Sequence, residues 1–151
     1  MSTLTEWFQA QIPDGWYDGG LDVLVDSEEI LVIGPLAEGV SPRAFRERTR
    51  DERVTIAAVA ERAFGRKVTW AVRVGDELVR FTTVSVPVMT RLRIEERQVL
   101  DLLIEGGIAR SRSEALAWCV RLVARNEGEW LAELREAAAR MAEIRGRGPS
   151  C

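Results

Sequence analysis

The chain has 151 residues, 46% of them hydrophobic and 30% charged, with a net charge of -3. This is ordinary globular usage, far from the polar compositions that stay disordered, and long enough to bury a cooperative core. It contains no histidine, which excludes histidine triads and removes the commonest zinc ligand.

No run of about 18 apolar residues is present to span a bilayer, and Met1-Ser2-Thr3-Leu4-Thr5-Glu6 lacks the basic start and apolar stretch of a signal peptide. A cytoplasmic protein without a membrane partner is expected. Cys119 and Cys151 form neither a disulfide framework nor a paired metal-ligand spacing, and they read as a core thiol and a tail residue. No cofactor or metal is expected. The only catalytic chemistry left is that of carboxylates such as Asp22, Glu47 or Asp51, and no spacing selects a pair among them, so an enzyme is not expected.

Taken along the chain, Pro13-Asp14-Gly15 and Asp18-Gly19-Gly20 punctuate the opening stretch with turn residues, and Trp7, Phe8 and Trp16 between them are expected to lie as a lid on a core. Leu21–Val25 and Ile30–Ile33 read as strands joined by the hairpin loop Asp26-Ser27-Glu28-Glu29. Ser41 followed by Pro42 is an N-cap with proline at the first helical position, and Gly65 is a stop, so a helix is predicted over 42–64. Within it Arg46, Arg50 and Arg53 share a face. Arg43 with Glu47 and Arg48 with Glu52 are four apart, which favours an ordinary solvated surface with ion pairs. Val68–Val74 and Glu77–Phe81 around Gly75-Asp76 predict a second hairpin, giving ββαββ.

Residues 84–126 are the only segment with a positive balance, at +2 against -4 before it and -1 after it. Val84 to Leu92 alternates as a strand, with Val84, Val86, Val88, Thr90 and Leu92 on a core face and Ser85, Pro87, Met89, Arg91 and Arg93 on the other. Pro87 confines it to an edge or a short pairing. A helix follows from Glu95 to Glu105, with Val99, Leu100, Leu103 and Ile104 on one side and Gly106-Gly107 as its stop.

Ser111-Arg112-Ser113-Glu114 fits a capping box, in which Glu114 returns to the Ser111 amide, and Ala115, Leu116, Cys119, Val120 and Val123 continue as an apolar stripe. A strand and two short helices in about 40 residues cannot bury their own apolar faces, so a partner copy is expected. From Glu129 to Ile144 a further helix carries Trp130, Leu134, Ala137, Met141 and Ile144 at helical spacing. Trp118 and Trp130 read as core or interface anchors.

The run Val88-Met89-Thr90-Arg91-Leu92, the helix around Arg97-Gln98-Val99-Leu100-Asp101, and the Ser111-Arg112-Ser113-Glu114-Ala115 opening of the second helix resemble the ribbon-helix-helix family. The resemblance implies a homodimer, or a higher even oligomer, whose paired strands enter the major groove of double-stranded DNA. It implies that Met89 and Arg91 read bases, with Arg93 assisting from the strand end. The amides around Ser111, Arg112 and Ser113 would hold a phosphate, reinforced by Arg110 and Arg112.

The expectation is therefore an α+β chain: an N-terminal ββαββ unit over 1–83, a ribbon-helix-helix unit over 84–126 and a C-terminal helix over 127–147, acting as a transcriptional regulator. The alternative is a protein-interaction or antitoxin-like module that uses the same dimer, with a protein partner for the N-terminal domain.

Overall fold

The computed structural model describes residues 3–149. Its architecture is α+β, and the described residues form nine elements divided between two compact units that part between Val88 and Met89. Met1, Ser2, Ser150 and Cys151 lie outside the described part.

In the first unit the sheet has the order β1-β2-β3-β4. Strand β1 (Asp22–Val25) forms the expected hairpin with β2 (Glu29–Pro35), and Asp26 closes it by accepting the amides of Glu28 and Glu29 on Oδ1 at 2.9 and 2.8 Å. Strand β3 (Lys67–Val74) runs parallel to β2, which needs a crossover, and helix α2 (Pro42–Phe64) supplies it. Strand β4 (Glu77–Arg80) returns antiparallel on β3. Helix α2 has the bounds its sequence signals require: the Ser41 hydroxyl accepts from the Ala44 amide, and Gly65 ends it at φ +68°.

Being central, β2 and β3 are buried on both faces. Ile30, Val32, Val68, Trp70 and Val72 share one core with Phe45, Ile56 and Ala60 of α2, while Leu31, Ile33 and Ala71 form a smaller cluster on the other face. The opening stretch differs from its reading as a turn-rich lid, because Thr3–Gln11 form helix α1, with Pro13 two residues after its end. Its aromatics do cover the core. Phe8 is fully buried, Trp7 packs edge-on to Phe8 and Phe64, and Trp16 packs edge-on to Phe45.

Residues 83–93 form no regular element, and the strand expected over 84–92 is absent from the single chain. A strand exists only through a ladder, and among the described residues no strand pairs with this segment. The expected core face is correspondingly open, with Val86 exposed and Val88 at 87%.

The second unit consists of α3 (Ile94–Glu105), α4 (Arg112–Asn126) and α5 (Gly128–Arg147). Its buried core is three residues, Leu100, Ala109 and Ala115, flanked by Leu92, Leu103, Ile104, Leu116 and Cys119. Val99, Val120 and Val123, read as part of the apolar stripes, are exposed, and α5 buries none of its residues. Trp118 is half-buried and Trp130 exposed, so within the chain neither is a core anchor. No helix among the described residues is long and apolar enough to cross a membrane.

Candidate nucleic-acid interface

The residues read as base and phosphate contacts all fall in the second unit, on the segment entering α3 and on the start of α4. Met89 is 94% exposed, and Arg91 and Arg93 are exposed too. Arg93 is the N-cap of α3: its amide donates to Glu96 Oε1 at 2.8 Å, which draws its backbone into the helix start. Arg97 donates from Nη1 to the Leu92 carbonyl at 2.6 Å, and Leu92 packs on the small core. The chain from Leu92 onward is thus anchored, while Met89 and Arg91 project from an unpaired backbone.

The N-terminus of α4 is built by its own side chains. Ser111 Oγ accepts from the Glu114 amide at 3.1 Å. Glu114 Oε2 accepts from the Arg110 amide at 2.9 Å and not from the Ser111 amide, one residue outside the expected capping box. The amides of Arg112 and Ser113 belong to the first turn, where no carbonyl lies four residues back in the helix, so they point outward together with the positive end of the helix dipole. Such an end accommodates an oxyanion.

Arg112 is already engaged. Its Nε and Nη2 donate to the two carboxylate oxygens of Asp101 at 2.9 and 3.0 Å, a two-pronged pair between α3 and α4. The hydrogen bond from Arg112 holds the Asp101 carboxyl below the usual range, and Asp101 raises the guanidinium in return. Sequence reading missed this partner, since the two residues stand eleven apart on different helices and only packing around Leu100, Ala109 and Ala115 brings them together. The left-handed Gly107, at φ +79°, turns the chain between those helices.

The arginine face of α2 is solvated at Arg43, Arg46, Arg48 and Arg50, as read, and departs from that reading at Arg53. Arg43 pairs with Glu47 at 3.6 Å as expected, but no Arg48–Glu52 pair forms among the described residues, and Arg48 lies over the Phe45 ring instead. Arg53 is buried, with only 7% exposed.

Together these features define an α+β chain with a sheet-bearing N-terminal unit and a helical C-terminal unit that carries Arg91 and Arg93 before α3 and Arg110 and Arg112 at the start of α4. Residues 2–80 match the Rv1265-like protein N-terminal domain, and residues 93–145 match the Mb1296 C-terminal domain. The chain belongs to the Rv1265-like family. It is 49% identical over 160 residues to Mb1296 of Mycobacterium bovis and to Rv1265 and MT1303 of Mycobacterium tuberculosis, each bearing the name of an uncharacterized protein, across 98% of this chain and 71% of theirs. No solved structure matches.

Proposed function

We propose that the chain is a dimeric DNA-binding protein of the ribbon-helix-helix kind and acts as a transcriptional regulator. The observation that carries this reading is the unpaired, exposed segment leading into α3, with Met89 at 94% exposure and Arg91 beside it, set before two helices whose second begins with outward amides. A segment outside any ladder with bare valines acquires both a ladder and a cover when a second copy aligns against it. A two-stranded ribbon fits the major groove, where arginine bonds guanine and methionine meets a thymine methyl group.

The apolar surface of the second unit supports the same reading. Val99, Leu102, Val120 and Val123 are all about half exposed or more, although each sits on a helix whose other residues supply the small core, and Trp130 on α5 is exposed as well. Burying one such side chain is worth about 1.5–3 kcal/mol, so a second copy covering several of them offsets the cost of association. The chain binds phosphates through the first turn of α4 and reads bases through Met89 and Arg91, with Arg93 and Arg110 as supporting cations.

The test is selection of genomic DNA fragments by the purified protein at about physiological salt, which suppresses purely electrostatic binding. Recovery of one palindromic or repeated motif supports the reading. Recovery of bulk DNA without preference, or of nothing, sinks it.

A further inference from the structure

The N-terminal unit holds a charge that its own side chains do not neutralise. Arg53, buried on α2, donates from Nε to Thr49 Oγ1 at 2.9 Å and from Nη2 to the Arg46 carbonyl at 2.8 Å. Thr49 is fully buried and fixed in turn, its hydroxyl donating to the Phe45 carbonyl at 2.7 Å. The guanidinium stacks 5.0 Å from the centre of the Phe81 ring, and Arg46 approaches the same ring at 5.6 Å. A guanidinium carries five N–H donors, of which these bonds use two.

No carboxylate lies within ion-pair distance of Arg53 among the described residues. Buried charges are normally paired, because an isolated one in a low-dielectric interior is expensive. Burial is the main influence pulling the Arg53 proton affinity down. The Tyr17 hydroxyl opposes that pull, and the charges of Arg46 and Arg50 add to it. The Tyr17 hydroxyl is itself buried and makes no hydrogen bond.

Arg53 opens onto a cavity of about 490 Å³, shared with Arg46, Arg50, Val54 and Thr82. Arg43 and Glu47 also line it but pair with each other. Three guanidiniums are left without a carboxylate around a space of the size that holds a small ligand. A duplex backbone reaches exposed arginines, whereas Arg53, a buried residue at the wall of this cavity, is reached only by a group small enough to enter.

We propose that this cavity binds a small organic oxyanion, a phosphate or a carboxylate, whose charged end pairs with Arg53 and is held by Arg46 and Arg50 while Val54 and Thr82 meet the remainder. Arginine suits this role because its planar fork bonds either group through two parallel N–H donors.

The experiment is calorimetric titration of the full chain at low salt with inorganic pyrophosphate and, separately, with succinate, so that the two arms distinguish phosphate from carboxylate. Saturable binding of at least one probe, one per chain, is expected. The double variant Arg46→Gln with Arg50→Gln changes only exposed side chains, so it keeps the fold, and it should weaken that binding about tenfold or more, the scale of losing two charge-assisted contacts. Arg48→Gln, which lies over Phe45 away from the cavity, should change it less than about twofold, the effect of a distant screened charge. Absence of saturable binding by both probes, or an Arg48→Gln loss as large as that of the double variant, overturns the proposal.

Discussion

Asp101 on α3 holds Arg112 on α4 through two hydrogen bonds of 2.9 and 3.0 Å, so the cation at the proposed phosphate site is positioned before any phosphate arrives. The arrangement has two opposing effects. It fixes the guanidinium, and it places a negative charge next to an incoming anion. Both partners are solvent-exposed, so the second effect governs DNA affinity. Asp101→Asn should tighten binding to all sequences by about three- to fivefold at low salt, the scale of one unit charge at a few ångströms in water. Filter binding or fluorescence anisotropy on unrelated duplexes measures this, and a uniform weakening would show that positioning outweighs charge.

Arg91 and Arg112 should fail differently. Arg91→Ala is expected to cost about 1–3 kcal/mol on the preferred sequence and little on others, because a base-edge contact is lost. Arg112→Ala should weaken every sequence alike and reduce the salt dependence by about one counterion. Binding curves on cognate and scrambled duplexes across a salt series separate the two. Equal, sequence-independent losses from both variants contradict the assigned roles.

The sheet unit was largely legible because its signals are local. Ser41-Pro42 and Gly65 bound α2, and Gly75-Asp76 joins β3 to β4, with no information needed beyond neighbouring residues. What stayed hidden depends on distant pairing. Helix α1 is marked by turn residues only after its end, and its helical character comes from docking Phe8 against Trp70. The burial of Arg53 was masked because three spaced arginines look the same whether they face water or Phe81. The strand pattern over 84–92 is sound as alternation, yet a single chain offers it no ladder.

A dimer built on the second unit makes Val120 a sensitive probe. It is 63% exposed on α4, so aspartate there is harmless to an isolated chain but places an unpaired charge in an interface between copies. Val120→Asp should convert a dimer to the 16.9 kDa monomer in light scattering and abolish specific DNA binding. Val59→Asp, an exposed valine on α2, is the control and should leave the mass unchanged. An unaltered mass for Val120→Asp excludes this helix face from the interface.

The pH response of the Arg112–Asp101 pair has a definite sign. The folded-state carboxyl is held low, so the stabilisation it lends is complete above the ordinary aspartate value of about 3.9 and is lost as the pH falls through the lowered value. Asp26 behaves the same way for a different reason, since the Glu28 and Glu29 amides favour its charged form. Carboxyl-carbon NMR titration should find both groups ionised at pH 4, and Arg112→Ala should return Asp101 toward its ordinary value while leaving Asp26 unmoved.

Gly34 in β2 is required by Tyr17. A Cβ at position 34 would lie 2.2 to 2.5 Å from three carbons of the Tyr17 ring, a distance no real contact tolerates, and the ring cannot retreat because Phe45 packs 5.3 Å away from it. Gly34→Ala should therefore destabilise the N-terminal unit by about 3 kcal/mol, at the upper end of what overpacking costs. Urea unfolding followed by tryptophan fluorescence reads this unit through Trp7, Trp16 and Trp70. The clash is with ring carbons, so Tyr17→Phe gives no relief, whereas Tyr17→Ala removes the obstacle, and the pair Tyr17→Ala with Gly34→Ala should cost clearly less than the sum of the single changes. Simple additivity of the two would mean that the strand shifts to admit the methyl group and that the close approach of Tyr17 is not what demands glycine.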